Sequence, residues 1–462
     1  MSKTLIVANR LPITIEKDRC VLSDGGLVRA LGHYMHSDRS VWFGYGDRSL
    51  RDGGIDYKAV TIPKDIYQSY YANFSNRVLW LALHGMQPFI EGAADWPNYV
   101  RANELFADAI TAELSDGDDL IWIQDYHLFM LPVLLRARQI TNRVGFFLHV
   151  PFPPFAELSE VPNFDQIIAS LLTADLLGFQ TNGDVANFLA SLDELGYEVE
   201  LDRQGATVNG RHIGLQAFPV TIDAATFARP DPVFATAFYE QLNRSNTSHN
   251  GLFALSRLDY TKGIVELLGA MELLLEDPTW RHVLKLALIP SRQEVPEYNQ
   301  LKLQIEALIA RINDHYGRAD FMPIEYSYRQ IPLDELKMMY RTADVMVINS
   351  LADGMNVIAK EYVASRSDNR GVLVLSKYAG AAEELSGAIL VDPNNCYELT
   401  EALRQAVDMR PAEQNRRMRA MRFQVNSTST RSWGEGFLKV LRATGRGVVT
   451  TRRRQDLPDL SS

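Results

Sequence analysis

Cysteine is almost absent. In 462 residues there are two, Cys20 and Cys396, far apart in the chain. Two such residues cannot build a disulfide framework, so a reducing, cytoplasmic compartment is expected. Neither sits at a zinc-ligand spacing, and no metal site is expected. No apolar run reaches the roughly 18 residues that a membrane span needs. The opening stretch Met1–Arg10 is too short in apolar residues for a signal-peptide core and reads as the first strand of the fold. Positive charge is also scarce, with a formal net charge of −10. That balance argues against nucleic-acid binding, which needs a basic face. Any anionic ligand must be met by local basic pockets on an acidic protein. Internal repeats and low-complexity tracts are missing as well.

What is present is a hydrophobic fraction of 46% with 23% charged residues, the balance of a globular protein. The length calls for two domains. Short apolar runs without alternation recur at Thr4–Ala8, Leu120–Ile123, Arg143–Val150, Leu176–Phe179, Leu252–Leu255, Leu284–Ile289, Val345–Ile348, Val372–Leu375 and Ile389–Val391. Strands covered on both faces look like this. Helical periodicity falls between them, for example over Phe164–Thr173, Asp184–Leu195, Ile264–Leu275, Tyr298–Tyr316 and Asp334–Arg341. The alternation predicts an α/β protein of two doubly wound, Rossmann-like halves. The halves are placed at 1–218 and 219–445, with a solvated tail over 446–462, and Thr207–Ile213 is expected to add a hairpin or edge strand. Near the end, Trp433, Phe437, Val440 and Leu441 recur at helical spacing. On the pattern alone, this helix packs on the second half.

Ligands of parallel sheets bind beyond the carboxyl ends of the strands. The polar residues that end the apolar runs are therefore the candidates. Asp24-Gly-Gly26 lies between the first strand and a helix start, where bare backbone amides can approach a phosphate. On the residues alone a plain glycine turn is the better explanation. Arg257 and Lys262, in Ser256-Arg-Leu-Asp-Tyr-Thr-Lys-Gly263, bracket a strand end and a helix entry. Two fixed cations there stabilise a departing diphosphate more than a bound one. Asp353-Gly-Met-Asn-Val-Ile-Ala-Lys-Glu361 places a carboxylate at a turn and another one turn into a helix. His149, in Gly145-Phe-Phe-Leu-His-Val-Pro-Phe-Pro153, and Asp125 and His127, in Ile121-Trp-Ile-Gln-Asp-Tyr-His127, end two further runs. Asp125 and His127 lack a third metal ligand at suitable spacing. The acidic cluster Asp116-Gly-Asp-Asp119 reads as a turn.

These four segments, in this order, resemble the trehalose-6-phosphate synthases, retaining glycosyltransferases of family 20, and the likeness runs from about Thr4 to Leu441. It implies the GT-B fold, two Rossmann-like domains facing a central cleft, with the last helix returning to the first domain. It implies transfer of glucose from UDP-glucose to glucose 6-phosphate with retention of configuration and without a metal or other cofactor. The sequence offers no convincing carboxylate nucleophile, so front-face displacement is expected, with the leaving phosphate taking the acceptor proton. By resemblance the catalytic residues are Asp125, His149, Arg257 and Lys262. The donor is met by Gly25, Gly26, His149, Arg257, Lys262, Asp353, Gly354, Met355, Asn356, Val357 and Glu361. The acceptor is met by Arg10, Trp42, Tyr71, Trp80, Asp125 and Arg292. Arginine suits the 6-phosphate because its planar fork donates two hydrogen bonds together. The chain departs from the family at Gln124, where His is frequent, at Ala8 for Ser, at Tyr45 for Trp and at Ala352 for Arg. A homo-oligomer, dimer or tetramer, is expected, with no membrane partner. The competing readings are a glucosylglycerol-phosphate synthase and a non-catalytic sugar-phosphate sensor.

Overall fold

The computed structural model describes residues 3–16, 19–22, 26–32, 40–52, 54–89, 94–114, 117–245, 251–293 and 295–445. Asp24, Gly25, Asp116 and the expected tail 446–462 lie outside them. The chain divides into two compact units, Met1–Val220 with Thr430–Ser462, and Thr221–Ser429.

The first unit holds the strands β1 (Thr4–Arg10), β2 (Ile13–Glu16), β3 (Arg19–Leu22), β4 (Ser40–Tyr45), β5 (Leu50–Asp52) and β6 (Ile55–Val60). It continues through β7 (Leu120–Gln124), β8 (Arg143–Phe147), β9 (Leu176–Phe179), β10 (Val199–Leu201), β11 (Gly205–Val208) and β12 (Arg211–Ala217). Ten of these form one sheet in the order β10-β11-β12-β9-β8-β7-β1-β4-β6-β5, and β2 and β3 pair separately. The centre is parallel: β1 pairs in parallel with both β4 and β7. The expected hairpin is β11–β12, antiparallel, and β12 then joins β9 in parallel.

The second unit is a six-stranded sheet of β13 (Gly251–Arg257), β14 (Val283–Ile289), β15 (Ile324–Tyr328), β16 (Val345–Ile348), β17 (Val372–Ser376) and β18 (Ile389–Val391). Its order is β15-β14-β13-β16-β17-β18. Helices on its two faces bury two apolar clusters, one around Leu267, Met271 and Leu284, the other around Tyr340, Met346 and Tyr362.

Central strands are the ones the apolar runs announce. β7 is buried at every residue, and so is β16. The peripheral strands β6 and β15 carry Asp56, Lys58, Glu325 and Ser327 and are partly exposed, so no continuous run marks them. β8 stops at Phe147 instead of reaching Val150, which leaves His149 in the loop beyond the strand.

The terminal helix Thr430–Ala443 packs on the first unit's sheet, not on the second half as its stripe alone suggests. Phe437 stacks on Trp122 at 4.8 Å, and Trp433 donates its indole N–H to the carbonyl of Phe218 at 2.9 Å. Two glycines in the sheet make room for it. A Cβ on Gly145 or Gly178 would stand 2.8 and 2.7 Å from the Phe437 ring. Among the described residues, no helix is long and apolar enough to cross a membrane.

Candidate functional site

In each sheet the strand order reverses beside the first strand, and this opens a crevice at the carboxyl ends where ligands bind. In the first unit the chain moves from β1 outward to β4 and β6, then returns to β7 and moves outward the other way. In the second it moves from β13 to β14 and β15, then returns to β16. The candidate residues cluster at these two reversals.

In the first unit, Arg10 ends β1, exposed. Its Nε donates to the Tyr67 hydroxyl at 3.0 Å and its guanidinium lies 4.5 Å from the centre of the Tyr71 ring. Tyr71 projects from a wide π-helix, Gln68–Leu79. Helices of that pitch are rare and favour functional positions. Tyr67 stacks between Tyr45 at 3.8 Å and Tyr71 at 5.3 Å, and Tyr71 stacks on His127 at 5.8 Å. Burial raises the Tyr67 phenol to about 12, against the opposing pull of Arg10, so it stays protonated. Of these neighbours the sequence marks His127 as a strand-end candidate and Tyr45 as a departure from the family, but not Tyr67. Only the aromatic density of Tyr67-Gln-Ser-Tyr-Tyr71 hints at this ladder.

The two tryptophans assigned to the acceptor are buried. Trp80 is 5% exposed beside His84, and Trp42 is 1% exposed in the middle of β4. The Trp42 indole N–H has no hydrogen-bond partner among the described residues.

Asp125 follows β7 with φ 73° and ψ 166°, a positive-φ conformation that is essentially confined to glycine. The turn is held from both sides. Asp125 donates its N–H to the Phe147 carbonyl at 2.8 Å, and its Oδ1 accepts the His149 amide at 3.1 Å. The His149 ring faces Gln124, with Nε2 2.9 Å from Gln124 Oε1. Desolvation lowers the imidazole to about 3, so His149 is neutral near pH 7 and presents a hydrogen-bonding ring, not a charge. In the sequence Gln124 stands out only as a departure from the family, and the structure makes it the partner of His149. Gly26 opens the short helix Gly26–Leu31.

In the second unit, Arg257 ends β13 and Lys262 closes the tight turn Tyr260–Lys262. Gly263 then enters the helix Ile264–Leu275 at φ 60°, and a Cβ there would fall 2.0 Å from the Asn349 carbonyl oxygen. Glycine is required at that point by both conformation and space. Lys262 Nζ sits 2.6 Å from Asp353 Oδ2, which also accepts from Ser350 Oγ at 3.2 Å and Asn356 Nδ2 at 3.0 Å. Asn356, at φ 64°, caps the helix Val357–Ser365 by accepting from the Ala359 amide. Gly354 and Met355 are buried beneath this turn. Glu361 is 1% exposed, and its Oε2 accepts from the Tyr340 hydroxyl at 2.8 Å.

Arg292 follows β14 at φ 45°. Its Nη1 lies 2.6 Å from Asp259 Oδ2 and 2.5 Å from the Tyr298 hydroxyl. The sequence gives Arg292 a ligand but no protein partner, because Asp259 and Tyr298 carry no motif signal for that contact. Among the described residues no group of three His, Cys, Asp or Glu side chains is placed to hold a metal ion.

The sequence profile of glycosyltransferase family 20 matches residues 2–443. An α,α-trehalose-phosphate synthase (UDP-forming) from Candida albicans is 33% identical over 469 residues, covering 95% of this chain and 97% of that protein. A synthase from Burkholderia xenovorans, solved in complex with glucose 6-phosphate, superposes with a TM-score of 0.86 at 32% identity, covering 96% of this chain and 100% of that one. The E. coli trehalose-6-phosphate protein bound to UDP-2-fluoro-glucose superposes at 0.84 with 32% identity, over 95% of this chain and 99% of that one. With a match along nearly its whole length, this chain belongs to glycosyltransferase family 20 and has that family's GT-B fold.

Proposed function

We infer that this protein is a retaining glucosyltransferase that makes α,α-trehalose 6-phosphate and UDP from UDP-glucose and glucose 6-phosphate. The observation that carries this is the full-length match to UDP-forming synthases, together with candidate groups for both substrates at the two strand-order reversals. Glucosylglycerol-phosphate synthesis and a non-catalytic sensing role are not favoured, since the matching relatives are named as trehalose-phosphate synthases.

In the second unit, we propose that Arg257 and Lys262 balance the diphosphate. Lys262 pairs with Asp353, so its charge is already fixed beside the turn where the diphosphate is proposed to lie. Asp353 and the helix-start amides after Asn356 then face the sugar, and Glu361 accepts from ribose hydroxyls. Arg292 is proposed as an acceptor-phosphate ligand. In the first unit, Arg10 and Tyr71 are proposed as acceptor contacts, and neutral His149 as a hydrogen-bonding partner of the donor sugar. The bond from the anomeric carbon to the phosphate oxygen breaks while the acceptor oxygen bonds on the same face. The departing phosphate takes the acceptor's hydroxyl proton.

Metal independence is part of the same proposal: two cationic side chains already meet the diphosphate charge, so activity should survive excess chelator. Release of UDP from UDP-glucose, measured with glucose 6-phosphate, free glucose or glycerol 3-phosphate as acceptor, tests the assignment. A preference for glycerol 3-phosphate or unphosphorylated glucose overturns it.

A further inference from the structure

Three segments of the second unit meet at one buried carboxylate. Asp259 lies between Arg257 and Lys262 in the turn after β13, Arg292 follows β14, and Tyr298 stands in the first turn of the helix Pro296–Tyr316. The two oxygens of Asp259 have different partners. Oδ1 accepts from the Thr261 amide at 3.1 Å and the Thr261 hydroxyl at 3.0 Å. Oδ2 faces Arg292 Nη1 at 2.6 Å and accepts from the Tyr298 hydroxyl at 3.1 Å. The Tyr298 oxygen in turn takes Arg292 Nη1 at 2.5 Å, closing a triangle. Side-chain exposure is 0% for Asp259 and 7% for Arg292, so this is an interior ion pair and not a surface contact.

The geometry limits motion at each corner. The two Thr261 bonds prevent the carboxylate from rotating, which fixes the direction in which Oδ2 points. Arg292 otherwise keeps several rotatable bonds and much rotamer freedom. Its backbone is turned at φ 45° and closed by the Val295 amide donating to its carbonyl at 2.9 Å. Tyr298 is pinned by Tyr260, whose ring packs edge-on at 5.0 Å. Burial and the Asp259 charge keep the Tyr298 phenol protonated, so it donates to the carboxylate at any working pH.

We propose that Asp259 and Tyr298 are positioning residues that hold Arg292 in register with the Arg257–Lys262 turn, so that one carboxylate aligns the acceptor-phosphate arginine with the diphosphate-binding turn. This rests on the reading of Arg292 as an acceptor-phosphate ligand. Neither residue need touch substrate. Tyr298 bonds Arg292 and the Asp259 oxygen that faces it, whereas Asp259 bonds both Arg292 and Thr261 in the turn that carries Lys262.

The test compares steady-state constants of Tyr298→Phe, Asp259→Asn and Arg292→Lys in the full chain, with thermal melts to confirm folding. Tyr298→Phe should raise KM for glucose 6-phosphate about three- to tenfold, with kcat within twofold and KM for UDP-glucose unchanged. Asp259→Asn should raise the acceptor KM further and lower kcat too. A role confined to stability would lower the melting temperature of Tyr298→Phe without this split between the two substrates. If Arg292→Lys raises the acceptor KM and Tyr298→Phe leaves it unchanged, the positioning inference fails and the ligand reading stands. An unchanged acceptor KM in Arg292→Lys overturns both.

Discussion

The two units share one architecture but hold their candidate arginines in opposite ways. In the first, Arg10 is exposed at the end of β1, lies against a ladder of tyrosine rings and bonds a neutral phenol. In the second, Arg292 is buried on a carboxylate, and Lys262 sits on another. A cation on aromatic faces gains about 0.5–1 kcal/mol at an exposed site. A buried pair gains little net, but removing one partner strands a charge at a cost of about 3–5 kcal/mol. The difference teaches that Arg292 and Lys262 are also part of the folded framework, while Arg10 is attached to it.

Activity gives the largest expected effect. Lys262→Ala and Arg257→Ala should each lower kcat by roughly ten- to a thousandfold, the scale for one lost transition-state charge contact. Near-normal turnover in either variant, in a UDP-release assay, removes that residue from the mechanism. Stability separates the units more directly. Arg292→Ala removes the guanidinium paired with buried Asp259 and should destabilise the protein by about 3–5 kcal/mol. Arg10→Ala should cost under about 1 kcal/mol. Equal losses in chemical denaturation would erase the contrast between the units.

A packing test is expected to be smaller. Gly178→Ala puts a methyl 2.7 Å from the Phe437 ring and should cost about 1–3 kcal/mol through overpacking. Trimming the ring in a Gly178→Ala/Phe437→Leu pair should restore the part due to the terminal helix, and no recovery would mean that Phe147, 2.8 Å from the same methyl, sets the cost instead.

The smallest effect per unit of change is in the pH dependence of the first unit. His149 titrates near 3 in the folded protein, below its ordinary value of 6.5. The unfolded chain therefore binds a proton that the folded chain refuses between those values, and stability must fall as pH falls through that window. The slope is at most about 1.4 kcal/mol per pH unit for one proton. His149→Gln should flatten that part of the stability curve, and an unchanged slope would mean that His149 is not held neutral.

Much of the architecture is legible in the sequence. Continuous apolar runs mark β1, β7, β13, β16 and β17, because a strand covered on both faces must be apolar throughout. Strand ends then locate Arg10, Asp125 and Arg257, and the run Asp353–Glu361 locates Asp353. Edge strands such as β15 are not legible, since half-exposed positions admit charge. The wide helix carrying Tyr71 is not legible either, because its pitch is set by packing and not by propensity.

By itself, then, the sequence determined the α/β class, the places where polar residues end the strands, and the family. Local hydrophobic pattern and short motifs suffice for these, since each is written within a few consecutive residues. The tertiary structure alone decided the order of strands, which brings β7 beside β1 and β16 beside β13. It also seated the terminal helix on Gly145 and Gly178, and joined Lys262 to Asp353 and Arg292 to Asp259. Those contacts pair residues 91 and 33 positions apart. Their partners are chosen by geometry after the chain has closed, and no local rule of spacing encodes that choice.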